Sequence, residues 1–409
     1  MRVAYVTMTF PAPSEAFACS DVAALAALGV DVHVFALRIA HPRHVELVRE
    51  HGLEDVPIST LTATRIGIGI TRALSHLPTT LRTIGWLVRT SWRRPEHLFK
   101  CLVALPSAFA IVDDVWRERF DVVHMFWGHL PALVGHILLL RATRPVVTTF
   151  LGAYDLELDH APGNDVARRA DRVFTHAACN RPTLEERGVS ASHITVVHRG
   201  LPDRYLAPQG PSSDEERDAM ALLSVSRLIP KKRVDDVLKV FARVAEKHPR
   251  ATLKVIGDGP EKAVLEQLAR DVGVAERVAF LGHQPRDTVV REMSRASALL
   301  LLTAWEGERL PNVVKESMAY GCIPIVTRSP GIEELVTDHA HGFIVEQRDV
   351  DQAAARVDHV LSSNHLEGMR RACREHVRAR FAASASMQVY RDTWLSCRER
   401  HEQYRGASL

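Results

Sequence analysis

ALLLLTAWEGERLPNVVKESMAYGCIPIVT, residues 298–327, is the stretch on which the reading of this chain turns. It opens on ALLLLTA, a short apolar run of the kind that fits a strand buried on both faces. A polar loop follows. Then come Pro311, a helical pattern over 312–320, and the β-branched run IPIVT. Strand, loop, helix and strand in that order predict a parallel sheet covered by helices. The loop falls at the carboxyl end of the first strand, where doubly wound folds hold their ligands. Pro311 suits the first helical position, because its fixed φ is already helical. The backbone N–H groups of Asn312, Val313 and Val314 would then meet an anion, aided by the helix dipole, and a diphosphate is the natural guest. Glu308 lies in the loop and Glu316 inside the helix, with seven residues between them. One carboxylate could accept hydrogen bonds from sugar hydroxyls and the other could reach a ribose. Taken alone, the same spacing also describes a capped βα unit with two solvated glutamates.

The alternation extends in both directions. Upstream, ALLSVSRL, ATLKVIG and RVAFLG read as strands, with helices over 234–248, 261–272 and 286–295 between them. Downstream come GFIV, helices over 350–362 and 366–381, and a terminal helix over 384–401. The first half repeats the pattern with RVAYVTM, DVHVFAL, DVVHM, PVVTTF, RVFTH and ITVVHRG as strands. The polar interval 207–218, rich in proline, glycine and serine, reads as a linker. Two α/β domains result, over 1–206 and 219–383, with a last helix over 384–409. The two halves share architecture but no sequence repeat.

A length of 409 residues agrees with two domains, and 46% apolar with 25% charged residues is ordinary globular composition. The excess of 52 basic over 49 acidic residues is too small to point to nucleic acid. The six cysteines form no C-x-x-C pair, which argues against zinc ribbons and thioredoxin chemistry and fits a reducing compartment. MRVAYVTMTF lacks the apolar core and cleavage site of a signal peptide, and no run approaches the length of a membrane span. The longest apolar candidate, 102–112, is broken by Pro106. A cytoplasmic location is expected, with one qualification. Residues 61–100 carry seven basic side chains (Arg65, Arg72, Arg82, Arg89, Arg93, Arg94, Lys100) against one acidic residue, Glu96, with Trp86 and Trp92 among them. That composition suits peripheral contact with an anionic membrane, and equally a solvated basic helical pair packing its tryptophans inward.

Other motifs offer weaker signals. SVSRLIPKKR places Arg227 and Lys232 five apart on a loop after a strand, where two cations could neutralise a leaving diphosphate. An ordinary basic surface loop reads the same way. Gly257 and Gly259 in GDGP permit close backbone approach, or simply a tight strand-to-helix turn. The N-terminal loop FPAPSEAF has no G-x-G-x-x-G fingerprint, which argues against NAD or FAD, although Ser14 and Glu15 could line a binding site. Asp155, Glu157 and Asp159 alternate after PVVTTF and could attract a hard cation, but an acidic loop is the simpler reading, with Asp155 alone turned to a ligand. His129, after a strand, could act as a base or bind a hydroxyl. No serine-hydrolase elbow and no zincin motif occurs.

In order and spacing, SVSRLIPKK, LKVIGDGP, RVAFLGH, the EGERLPNVVKESMAYGCIPIVT block and PGIEELV…HGFIV resemble the retaining glycosyltransferases of family 4. The match runs from about 222 to 346, and the opening MRVAYVTMTFPAPSEAF is similar to the exopolysaccharide and surface-glycan branch. The resemblance implies the GT-B fold: two Rossmann-like domains facing a cleft, with a C-terminal helix crossing back to the first. It implies a nucleoside-diphosphate sugar donor held by the second domain. Arg227 and Lys232 would hold the diphosphate, Glu308 the transferred sugar and Glu316 the ribose. Gly257, Gly259 and Phe280 would lie near the nucleoside, and Leu310, Asn312 and Val313 beside the phosphates. It implies hexosyl transfer to a carbohydrate, lipid-linked or small-molecule acceptor, with no metal or other cofactor. Leu151 and Phe126 stand where the family carries histidines, and Arg233 where it commonly has glycine. Asp155 and His129 are the candidate replacements on the acceptor side. A GT-B epimerase or phosphorylase, or a non-catalytic interaction subunit, would share the fold.

Overall fold

Short β-branched runs form the two parallel sheets, one in each of two units: residues 1–200 with 383–409, and residues 201–382. The computed structural model describes residues 1–409 except 13–15, 207–216, 306, 364 and 407–409. Residues 201–206, expected in the first domain, fall in the second unit, where the Leu201 N–H donates to the Phe381 carbonyl at 2.8 Å. Most of the expected linker, 207–216, lies outside the described residues.

The first unit contains β1 (Arg2–Thr7), β2 (Asp31–Ala36), β3 (Ile58–Ser59), β4 (Val122–Phe126), β5 (Val146–Phe150), β6 (Arg172–Thr175) and β7 (Ile194–Val196). They pair in the order β3-β2-β1-β4-β5-β6-β7, every pair parallel. The helices are α1 (Ala16–Ala27), α2 (His44–His51), α3 (Ala63–Ser75), α4 (Leu77–Ser91), α5 (Pro95–Arg117), α6 (Ala132–Leu139), α7 (Ala153–Leu158), α8 (Ala161–Arg169) and α9 (Arg181–Glu186). In the second unit β8 (Asp218–Val225), β9 (Thr252–Ile256), β10 (Val278–Gly282), β11 (Ala296–Leu301), β12 (Ile323–Thr327) and β13 (Phe343–Val345) pair in the order β10-β9-β8-β11-β12-β13. Its helices are α10 (Val234–Lys247), α11 (Lys262–Asp271), α12 (Arg286–Arg295), α13 (Asn312–Ala319), α14 (Val350–Ser362) and α15 (Glu367–Arg380). In both sheets the strand order reverses at one pair of neighbours, β1/β4 and β8/β11, and the crevice beyond their carboxyl ends is the expected ligand position.

Helix α16 (Ala383–Gly406) returns to the first unit. Its Met387, Tyr390 and Trp394 share one buried cluster with Val3, Tyr5, Val34 and Phe174. That cluster has strand side chains from the sheet at its base, so the last helix is part of the first unit's core.

Residues 61–117 depart furthest from expectation. They form three helices, and α5 runs unbroken through Pro106. A proline inside a helix removes one backbone hydrogen bond and crowds the preceding turn. Helix α3 crosses at that point through Gly69, where a Cβ would lie 1.8 Å from the Pro106 carbonyl oxygen. The two tryptophans divide between the two readings of the sequence. Trp86 is buried, stacked on His136 at 3.8 Å, and its indole N–H donates to Asp165 at 2.8 Å. Trp92 is 62% exposed. Leu74, Leu77, Leu81, Phe99 and Val103 are exposed on the same three helices. No helix among the described residues is long and apolar enough to cross a membrane.

Candidate functional site

The loops at the carboxyl ends of β8 and β11 are tied together. The Lys231 carbonyl accepts from the Thr303 hydroxyl and from the Ala304 N–H, both at 3.0 Å. This pins the turn at 230–232 against the end of β11 and brings Lys232 to Glu308. Lys232 is 8% exposed, and its ammonium donates to a Glu308 oxygen. The indole of Trp305 lies beneath both cations, 5.1 Å from the Lys231 nitrogen and 5.8 Å from that of Lys232. Two of the expected site residues are therefore in direct contact although 76 residues apart.

Arg227, on the same loop, is exposed, and its guanidinium forms no hydrogen bond or ion pair among the described residues. Gly257 and Gly259 both have positive φ, and their missing side chains make room for this chain's own loop. A Cβ on Gly257 would lie 1.8 Å from the Ser226 carbonyl oxygen, and one on Gly259 2.3 Å from that of Leu228. The Leu228 N–H donates to the Asp258 carbonyl at 2.9 Å. The glycine turn thus supports the loop that carries Arg227 and Lys232. Phe280, on edge strand β10, packs partly buried against the unit's core.

Helix α13 begins at Asn312, where the helical pattern over 312–320 starts, but Pro311 is not its first helical residue. Pro311 is its N-cap, with extended ψ of 132°, and Asn312 is the first helical residue. A cap residue's carbonyl accepts the first helical bonds, and here the Val314 N–H donates to the Pro311 carbonyl at 3.1 Å. Val314 is therefore not available to an anion. Asn312 and Val313 occupy the first two positions, and no side chain caps the helix. Leu310 is buried at φ +51°, a left-handed turn that lets the chain enter the helix from the loop.

Glu316 is paired with Arg286, the first residue of α12, at 2.9 Å. The Arg286 guanidinium also lies 3.5 Å over the ring of Tyr205. Arg286 Nε and Nη2, Glu308 Oε2, Trp305 Nε1 and Arg309 Nε and Nη1 are buried without a hydrogen-bond partner. A buried polar atom left unpaired costs about 1–3 kcal/mol. All six belong to the second unit and are open to a polar partner. Arg286, Trp305, Arg309 and Tyr205 were not identified from the sequence. A single arginine opening a helix carries no motif, and its partner stands 30 residues away.

In the first unit Ser14 and Glu15 lie outside the described residues. Asp155 is buried, and its two oxygens accept from the Gly128 N–H at 2.8 Å and the Gly152 N–H at 2.9 Å. Burial pushes its carboxyl up to about 7, opposed by those two hydrogen bonds. It therefore fixes two loops from inside, contrary to the expectation that it faces a ligand. Asp159 caps α7 in a left-handed turn and Glu157 is exposed, so the alternating acidic residues do not converge. His129 lies 3.9 Å from Asp155 and packs on His160 with ring centroids 3.8 Å apart. Burial lowers its pKa to about 4.

Two Rossmann-like parallel-sheet units, with a charged loop pair at the switch point of the second, define a protein of the GT-B class. The family model for glycosyl transferases group 1 matches residues 211–380. An uncharacterized glycosyltransferase of Haemophilus influenzae is 34% identical over 300 residues, covering 72% of this chain and 76% of that protein. N-acetyl-alpha-D-glucosaminyl L-malate synthase of Bacillus anthracis is 32% identical over 303 residues, covering 70% and 77%. The fold is shared with Anabaena HepE, solved in complex with UDP, at a TM-score of 0.73 and 16% identity, covering 97% of this chain and all of that one. The chain belongs to the group 1 glycosyl transferases.

Proposed function

We propose that this protein is a retaining, metal-independent hexosyltransferase of the family 4 type, using a nucleoside-diphosphate sugar. The observation that carries the reading is the Lys232–Glu308 contact at the end of β11, beside the uncapped start of α13. As the bond from the sugar's anomeric carbon to the diphosphate breaks, negative charge builds on the leaving phosphate oxygen. Lys232, Arg227 and the N–H groups of Asn312 and Val313 are the groups that would meet it. The acceptor oxygen bonds to the same face of the anomeric carbon, and its proton passes to the leaving phosphate oxygen, so no side-chain base is needed. Glu308 would exchange its contact with Lys232 for sugar hydroxyls. The product belongs to polysaccharide, glycolipid or glycosylated-metabolite synthesis.

HepE's complex with UDP makes a uridine-diphosphate sugar the first donor to try. The melting point should rise with one of the UDP-, GDP-, ADP- or dTDP-sugars, because a ligand that binds only the folded state stabilises it. Steady release of nucleoside diphosphate, with an axial-to-axial or equatorial-to-equatorial outcome by NMR, is the expected sequel. No shift with any donor and no release would overturn the reading, and sugar interconversion without release would make it an epimerase.

The protein would work in the cytoplasm and meet the membrane peripherally through α3–α5. Exposed Leu74, Leu81, Trp92 and Phe99 lie there among Arg82, Arg89, Arg93 and Lys100. Apolar side chains among cations suit an anionic lipid surface. Co-sedimentation with phosphatidylglycerol vesicles, absent with phosphatidylcholine and lost in a Trp92→Ala/Phe99→Ala variant, is the expected result. Equal recovery with both lipids, or none, removes this part of the proposal.

A further inference from the structure

Three histidines from three separate elements of the first unit meet outside the chemistry described above. His97 sits in the first turn of α5, His129 in the loop after β4, and His160 at the N-cap of α8. The His97 and His160 rings stack with centroids 4.4 Å apart, and His129 meets His160 at 3.8 Å. One nitrogen from each ring lies within 4.8 Å of the other two. Among the described residues no other group of histidines, cysteines or carboxylates converges in this way. His129 Nε2 and both ring nitrogens of His160 are buried without a hydrogen-bond partner. Those unpaired nitrogens are the independent sign of a missing ligand, since buried polar groups in native proteins are nearly always satisfied.

We infer that His97, His129 and His160 bind one first-row divalent metal ion of the zinc class. Three imidazoles suit zinc, nickel or copper, whereas calcium and magnesium require oxygen ligands. At Zn–N distances of about 2.0–2.1 Å, three nitrogens on a tetrahedral face stand about 3.3 Å apart. The nitrogens must therefore close by at most about 1.5 Å, which side-chain rotation at one loop and two helix starts permits. The remaining coordination position faces a cavity of about 650 Å³ lined also by Met8, Arg38, Arg94, Lys100 and Tyr154. The three cations there oppose a bare divalent ion and favour an anionic fourth ligand: hydroxide, carboxylate or phosphate. Cys101, whose sulfur lies 3.7 Å from His97 Nδ1, and Asp155 flank the triad and steady two of its rings. The site lies in the first unit and is independent of the sugar transfer proposed above.

The test uses the full-length, untagged protein after dialysis against a chelator. Calorimetric titration with Zn²⁺ should show one tight equivalent, Co²⁺ should give the visible spectrum of a tetrahedral site, and Mg²⁺ should give no heat. Zn²⁺ should raise the melting point. His97→Ala and His160→Ala should each weaken that equivalent by about tenfold or more. His97 is only partly buried in a helix's first turn, so His97→Ala keeps the fold and decides the matter even where His160→Ala does not. Absence of a tight Zn²⁺ equivalent in the wild type overturns the inference. So does an equivalent that both variants retain with unchanged affinity, because the ion then sits elsewhere among the 21 histidines.

Discussion

Replacing Lys232 by alanine is expected to lower turnover by about 10²–10³, equivalent to about 2.7–4 kcal/mol of lost transition-state stabilisation. The ammonium is held in place before the reaction by the turn at 230–232 and by the Lys231 carbonyl's two hydrogen bonds to 303–304. A charge already oriented has no reorganisation to undergo as the diphosphate leaves. The substitution also strips Glu308 of its partner in a nearly dry setting, so some stability is lost with the activity. Arg227→Ala separates the two effects. Its guanidinium is exposed and unpaired among the described residues, so the melting point stays at the wild-type value while turnover falls. Glu308→Gln keeps a carbonyl for the ammonium and tests the sugar contact. If Lys232 and Glu308 act as one unit, the double variant loses far less than the product of the single losses. A folded Lys232→Ala enzyme with wild-type turnover would refute the diphosphate assignment.

The alternation of buried runs and amphipathic stretches made both sheets legible, because strands buried on two faces must be apolar throughout. The helices over 286–295 and 350–362 agree with the structure to the residue. The start of α13 at Asn312 was legible, while Pro311, whose fixed φ suits a first helical residue, instead serves as the cap. The charged loop pair was legible in part. Lys232 and Glu308 were each marked by a motif, but their contact depends on the hydrogen bonds at Lys231, which are backbone geometry. Arg286 and Trp305 carried no pattern, since a side chain's partner across a sheet is set by strand order and register. Trp86 and Trp92 show the same limit within one short stretch. One faces Asp165 and the other faces solvent, and only the packing of α4 on α8 separates them. His129 was picked out for its place after a strand, while His97 and His160 come to it through folding alone.

The expected terminal helix proves to be core, and this sets the largest stability effect. Trp394 has no exposed surface, and Trp→Ala at such a site costs about 3–5 kcal/mol. At about 2–4 °C per kcal/mol for a unit of this size, the first unit should melt about 6–20 °C lower. Leu395→Ala, partly exposed on the next position of the helix, is the matched control and should change little. The loss is more than volume. The Trp394 indole N–H donates to the Thr148 hydroxyl at 3.1 Å, and that hydroxyl lies 2.9 Å from His124 Nδ1. The Thr148 hydroxyl therefore links the indole to the buried imidazole. Burial, reinforced by nearby Arg199, lowers the His124 pKa to about 3. A histidine depressed from 6.5 contributes stability that is present above pH 6.5 and is lost as pH falls toward 3, at about 1.4 kcal/mol per pH unit. Trp394→Ala admits water beside the imidazole, so its pKa rises toward the ordinary value and this acid sensitivity shrinks. Thermal unfolding at pH 7.5 and 5.5 reads both effects together. A Trp394→Ala protein that melts within 2 °C of wild type, about 1 kcal/mol or less, would show that the helix lies on the first unit without helping to hold it together.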